Sequence, residues 1–367
     1  MRKSLIWAWG LALCAWPLDL RADSAGAAVY VRSHTDHTTV VSPHASVQKQ
    51  LAQDVLLDAR YSADVWSSAS IDIRASASVK PVTEQRDEIT VGVTRAWPDF
   101  QLRGGYRFST EPDYRSHGGT LSLQYDLANK AASLRAGLNI FGDSVGRSGD
   151  PGFWRALATY DTKVSYTQLI DPLSFVQVTY ELAHNRGYQA SPYRFVGTGP
   201  DATGLGCVNA QMCWAERVPR QRTRHALALL GRRALNAVLS AGLTYRLYVD
   251  DWALWSHTLL AELSCNVLEH GLLSVRYRFY YQSGVSFYRA HYDELSALDH
   301  RTRDRELSPM LSHRLGVDYE HRLAELASGR HLSAVLALGG NYYDYRDFVG
   351  LSSAWALEVT AALSMAL

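Results

Sequence analysis

The chain has 367 residues and a formal net charge of +1, from 37 basic and 36 acidic side chains. That balance excludes a strong electrostatic pull towards nucleic acid, and the length allows two ordinary domains or one large barrel. Beyond the N-terminal segment no unbroken apolar run reaches the ~18 residues a membrane helix needs, while 21 Tyr and 10 Trp suit an aromatic-rich all-β protein.

Residues 1–27 begin with Arg2 and Lys3, continue through an apolar stretch at 5–18 and reach Ala25-Gly26-Ala27. A basic start, a short apolar core and a small-x-small site describe a secretory signal peptide, removed from the mature protein. Cleavage is expected after Ala27 or, in Leu20-Arg21-Ala22, after Ala22. A lipoprotein box at Leu11–Cys14 is set aside because Leu13 is bulky where a small residue is usual.

From Ala28 onwards the chain repeats one pattern. In residues 55–70, Val55, Leu57, Ala59, Tyr61, Ala63 and Val65 share one face of an extended chain, and Leu56, Asp58, Arg60, Ser62 and Asp64 share the other. Period two with one apolar and one polar face is the mark of a β-strand. Strands are expected at 28–34, 37–48, 55–66, 88–97, 100–109, 118–127, 132–143, 159–170, 173–185, 221–233, 236–249, 253–267, 271–284, 310–323, 331–346 and 354–367. The weakest is 221–233, where residues 226–230 are apolar throughout.

Connection lengths test the pattern independently. After even-numbered strands they are short: 49–54, 98–99, 128–131, 171–172, 234–235, 268–270 and 324–330. After odd-numbered strands fall the long ones, 67–87, 144–158, 186–220 and 285–309, with 33–36 and 250–252 as short exceptions. Bacterial outer-membrane barrels have an even strand number, short periplasmic turns and longer outer loops. Lipid offers no hydrogen-bond partners, so a membrane sheet must close on itself. The expected fold is therefore a transmembrane, antiparallel, up-and-down β-barrel of about sixteen strands (14–18), one domain over 28–367 in the outer membrane of a Gram-negative bacterium. A barrel of that size has a lumen too wide for side chains alone to fill. Loop 186–220 or the charged stretch 293–306, a short-helix candidate, is long enough to fold inward.

The inward face would carry Asp58, Arg60, Asp64, Arg103, Arg107, Arg135, Glu181, Arg246, Glu262, Arg276, Arg278, Asp318 and Glu320. One reading is a charged lining that filters a polar solute; the other is a set of mutually neutralising ion pairs. Mixed signs argue against strong ion selectivity. Arg276 and Arg278 are the closest like-charge pair, with Glu262 as a plausible partner. Cys207 and Cys213 share a Gly-rich segment and could close a loop disulfide in an oxidising compartment or remain two thiols. Cys265 reads as a small hydrophobe in a strand. The 13 His residues form no HExxH or CxxCH motif, and GxSxG and phosphate-binding Gly loops are lacking. No metal, cofactor or catalytic residue is expected, and the cluster His34, Asp36 and His37 is read as an outer turn.

Val40-Val41-Ser42-Pro43, followed by Asp64-Val65-Trp66-Ser67-Ser68-Ala69-Ser70, resembles the start of a bacterial envelope family catalogued as domain of unknown function 3570, with the similarity best over residues 28–145. The resemblance implies an outer-membrane barrel without established activity. It also implies a possible envelope lipoprotein or redox partner, because some members are encoded near a small lipoprotein and a flavin-transferring enzyme. The chain ends Ala366-Leu367 where many barrels end in Phe or Trp. The leading functional expectation is a porin-like channel or export conduit for a small polar solute or an envelope partner. A non-conducting scaffold barrel that presents outer loops or holds a lipoprotein is second, and a barrel-embedded hydrolase third.

Overall fold

The computed structural model describes residues 23–68, 82–199, 207, 209–292, 299–326 and 330–366. The strands are β1 (Ser24–His34), β2 (Thr38–Ala52), β3 (Val55–Ser68), β4 (Val82–Ala96), β5 (Phe100–Glu111), β6 (Tyr114–Leu127), β7 (Ala132–Arg147), β8 (Asp150–Asp171) and β9 (Ser174–Gly187). A small hairpin, β10 (Phe195–Thr198) and β11 (Met212–Ala215), precedes β12 (Gln221–Ala234), β13 (Leu239–Asp250), β14 (Trp255–Val267), β15 (Gly271–Gln282), β16 (Met310–Leu326), β17 (Arg330–Tyr345) and β18 (Ser353–Ala366). All but β10 and β11 form one closed antiparallel barrel of sixteen strands, each paired with its chain neighbours, β9 pairing with β12. Closure runs β1 against β18, from Ser24↔Ala366 to His34↔Ala356. It leaves no unpaired edge.

Burial is inverted relative to a water-soluble protein. Exposed large residues include Val47, Ile89, Val91, Leu121, Ile140, Leu229, Leu243, Leu315, Leu336 and Leu357, whereas Ser42, Thr94, Ser165, Thr179, Ser264, Ser274 and Asn341 are buried. Period two causes this: the apolar set points out and the small polar set points into the lumen. In β12 the continuous apolar run resolves the same way, with Leu227 and Leu229 outward and Ala226 and Ala228 buried. Among the described residues no helix is long and apolar enough to cross a membrane, which says nothing against crossing by strands.

A repeated outward-facing pair marks one level of the barrel. The Tyr hydroxyl lies near His Nδ1 in Tyr106–His117 (2.6 Å), Tyr180–His225 (2.7 Å), Tyr245–His257 (2.6 Å) and Tyr277–His313 (2.7 Å). Tyr61 donates to Asp87 in the corresponding place on β3–β4 at 2.7 Å. In each case the partner sits diagonally across from the Tyr, two residues nearer the long-loop end. Amphipathic rings with their polar tips satisfied form the girdle expected where hydrocarbon meets water.

The strands bear on two expected boundaries, the open choice of cleavage site and the loop at 144–158. Ser24–Ala27, assigned above to the signal peptide, belong to β1 and pair with both β2 and β18. The segment through Ala22 lies outside the described residues. Cleavage after Ala27 would remove four residues of a strand paired on both sides, so the mature protein should begin at Asp23. N-terminal sequencing checks this, and a start at Ala28 would contradict it. The expected loop 144–158 is instead strand: β7 runs to Arg147, Gly149 turns the chain with φ +82°, and β8 begins at Asp150. Pro151 and Gly152 are residues that weaken a strand. They fall in the register shift between Val145↔Arg155 and Arg147↔Asp150, where a missing N–H costs no ladder bond. Of the short helix considered at 293–306, residues 293–298 lie outside the described residues; a single 3-10 turn forms at Arg305–Leu307, capped by Asp304.

Candidate functional site

The lumen wall is a belt of ion pairs. Arg103 donates to Asp58 twice, Nε to Oδ1 at 3.0 Å and Nη2 to Oδ2 at 2.6 Å. The pair passes over Gly92 of β4, whose Cβ would lie 2.3 Å from Arg103 Nη2. Asp64 takes Arg86 and the Ser42 hydroxyl, and Arg107 donates to Glu88 at 2.5 Å. Glu181 accepts from Arg246 at 2.8 Å and pairs with Lys163 at 3.2 Å. Glu262 accepts from Arg276 at 2.7 Å and faces Arg232 at 2.8 Å, while Arg276 reaches Asp318 at 2.7 Å. Arg314 donates to Glu358 at 2.9 Å.

Most of the residues expected to line the lumen thus meet an opposite charge. Arg135 donates instead to Gln124. Arg60, Glu320 and Arg278 lie on the inward face with no hydrogen bond or ion pair among the described residues. Of the Arg276/Arg278 pair Glu262 meets Arg276 alone, because Arg278 stands opposite Arg314. Lys163, Arg86, Glu88, Arg232, Arg314, Arg32 and Glu358 were missed. The signal was present, since each occupies a polar position of the same alternation, as Glu358 does between Leu357 and Val359.

At the long-loop end the 187–221 and 282–310 connections are fastened to each other. Glu216 is buried and accepts from Ser191 N at 2.6 Å, Thr302 Oγ1 at 2.5 Å and Arg194 Nη1 at 3.3 Å, and Arg194 also donates to Asp304 at 2.7 Å. Burial pushes the Glu216 carboxyl up, against the pull of Arg194. Ala190, Val218, Trp252, Leu254, Val285 and Tyr288 pack beneath. Tyr193 donates to Asp113 of the β5–β6 turn and accepts from Ser148 N in the β7–β8 turn; burial and the Asp113 bond push its hydroxyl up to about 12. Arg305 donates to Asp36 of the β1–β2 turn at 2.7 Å. Burial raises the Asp36 carboxyl, but its bonds to His34 and Arg305 outweigh that and hold it well below the usual range. Tyr288 donates to Asp347 O in the β17–β18 loop at 2.6 Å. The Cys207–Cys213 disulfide ties the β10–β11 connection to β11, and Cys265 is free in β14.

His34 and Asp36 contact each other at 2.7 Å, with Arg305 completing the group. Glu84, Glu111 and Asp113 bring three carboxylates within 4.8 Å at the same end.

The sequence profile of the family described as "Protein of unknown function (DUF3570)" matches residues 73–153 and 154–350. The chain belongs to this family. The DUF3570 match begins after the 40–70 motif that carried the resemblance and extends far past residue 145. No curated protein sequence matches. Among solved structures the DUF3570 barrel is similar to a bacterial polysaccharide outer membrane secretin, with TM-score 0.51 and 10% identity over 94% of this chain and 98% of that one. It is also similar to CdiB from Acinetobacter baumannii, with TM-score 0.50 and 10% identity over 94% and 60%. At these identities the likeness speaks for the fold, an outer-membrane-type barrel.

Proposed function

We propose that this protein sits in the outer membrane of a Gram-negative bacterium and acts there, without chemistry of its own, as a conduit for a small polar solute or an envelope partner. One observation carries the reading. Among the described residues every ion pair of the lumen wall joins strands at most two apart, as in Asp58–Arg103 (β3 to β5), Glu181–Arg246 (β9 to β13) and Arg314–Glu358 (β16 to β18). The charges lie along the wall, and none bridges the lumen. A wide barrel lined in this way keeps a wettable path. The long loops are tied to rim turns at Asp36, Asp113, Ser148 and Asp347 as well as to each other. The rigid, disulfide-bearing clasp also supports the second reading, a scaffold that presents a fixed outer surface.

Planar-bilayer recording separates the two. Purified protein should give discrete conductance steps with weak ion selectivity. Repeated reconstitution without steps, while the protein still shows heat-modifiable migration on gels, would overturn the conduit and leave the scaffold.

A further inference from the structure

We propose that the lumen wall formed by β15, β16, β17, β18 and β1 holds a binding site for a small oxyanion, such as a carboxylate, sulfate or phosphate. The inference deepens the conduit reading and rests on a lumen that solute can enter.

The site follows from register. Arg278 and Arg314 are direct cross-strand partners, and Arg314 is in turn the partner of Asn341. Like charges in that relation repel. One row towards the short-turn end, Glu358 is the partner of Arg32. Three guanidinium groups therefore share one carboxylate, a local charge of +2. Glu358 accepts from Arg314 Nε at 2.9 Å and stands 3.8 Å from Arg32 Nε. The glycines at 316 and 339 make room for this: a Cβ at either would lie 3.0 Å from the Arg314 guanidinium, and at Gly339 also 3.2 Å from Glu358 Oε2. Tyr343 accepts from Arg32 Nη2 at 2.8 Å. Asp318, also on β16, is taken by Arg276 at 2.7 Å.

Three buried donors in this patch have no hydrogen-bond acceptor: Arg278 Nε, Arg32 Nε and Asn341 Nδ2. Asn341 is 1% exposed. Arg278 has no ion pair among the described residues. Arg60 is also unpaired, but it is exposed and water hydrates it. A half-buried guanidinium whose Nε is shielded from water and has no acceptor is costly. In one row with Arg314 and the unpaired Asn341 Nδ2, it is what an oxyanion would satisfy, since the guanidinium fork matches carboxylate, sulfate and phosphate oxygens in bidentate fashion. Elsewhere on the belt most charged partners are supplied by the chain itself, and of the unpaired cations Arg60 is exposed. Here one is missing, and a bound anion fits the place.

The test is isothermal titration of the full detergent-solubilised barrel with sodium sulfate and, separately, sodium succinate, which tells a tetrahedral from a planar oxyanion. At least one should bind saturably. R278Q should weaken that binding at least tenfold while migration stays heat-modifiable. E358Q removes the one competing carboxylate and should tighten it. If neither anion binds the unaltered protein saturably, or R278Q binds as tightly as it does, the proposal is overturned. Should R278Q fail to fold, E358Q decides: unchanged or weaker binding overturns the site. A barrel that binds but does not conduct would sink the conduit alone, and one that conducts without binding would sink this site alone.

Discussion

Gly187→Ala should destabilise the barrel by about 2–4 kcal/mol, as expected where a special backbone conformation is lost and the new atom meets backbone. Gly187 ends β9 with φ +130°, a conformation that side-chain-bearing residues rarely adopt. A Cβ there would lie 2.3 Å from Ala156 O and 2.8 Å from Leu157 Cα. These are backbone atoms of β8 and cannot rotate aside. The same carbonyl accepts from Tyr188 N at 2.9 Å, and Gly187 N donates to Arg220 O at 2.8 Å, so the root of the long loop is pinned at this residue. The readout is the temperature at which the unboiled gel species is lost, which should fall clearly in the variant. Gly119→Ala is the control: nothing lies within 4 Å of its Cβ position, and its melting should stay close to that of the unaltered barrel. Equal melting of all three proteins would show that the Gly187 conformation is not needed.

Glu216→Ala should open the clasp between the two long loops and leave the barrel standing. The carboxylate serves three donors, from Ser191, Thr302 and Arg194, in a site where its side chain is 2% exposed. Ser191 N and the Thr302 hydroxyl would lose this acceptor, at about 1–3 kcal/mol for each left buried and unpaired, while Arg194 keeps Asp304. Even ~3 kcal/mol in all shifts the closed-to-open ratio roughly a hundredfold. Trypsin should then cut at Arg303, which the closed clasp buries, and heat-modifiable migration should persist because the barrel ladder is untouched. Unchanged protection would mean that the apolar packing of Trp252, Leu254, Val285 and Tyr288 holds the loops by itself.

What could be read from the residues alone was whatever is local. Alternation along Val55–Val65 or Leu357–Met365 sets which side chains go out and which go in, and that pattern, repeated with alternating short and long connections, determined the barrel, its strand number and the polar lumen face. The six-residue spacing of Cys207 and Cys213 belonged to the same class. It failed at 144–158, expected as a loop, because only pairing shows that a register shift absorbs Pro151 and Gly152 within a continuing strand. Signal and strand chemistry overlap at Ser24–Ala27, since small residues suit both.

Only the tertiary structure decided which charge meets which. Glu262 looked equally available to Arg276 and Arg278, but sheet register sets it opposite Arg276 and sets Arg278 opposite Arg314. The clasp joins Arg194 to Asp304 across 110 positions, and Arg305 to Asp36 across 269. Such contacts depend on closure and register, which couple residues with no relation along the chain. Period two determines the face a residue occupies; the closed sheet alone determines its neighbours there, and therefore that Arg278 stands opposite Arg314 and not opposite a carboxylate.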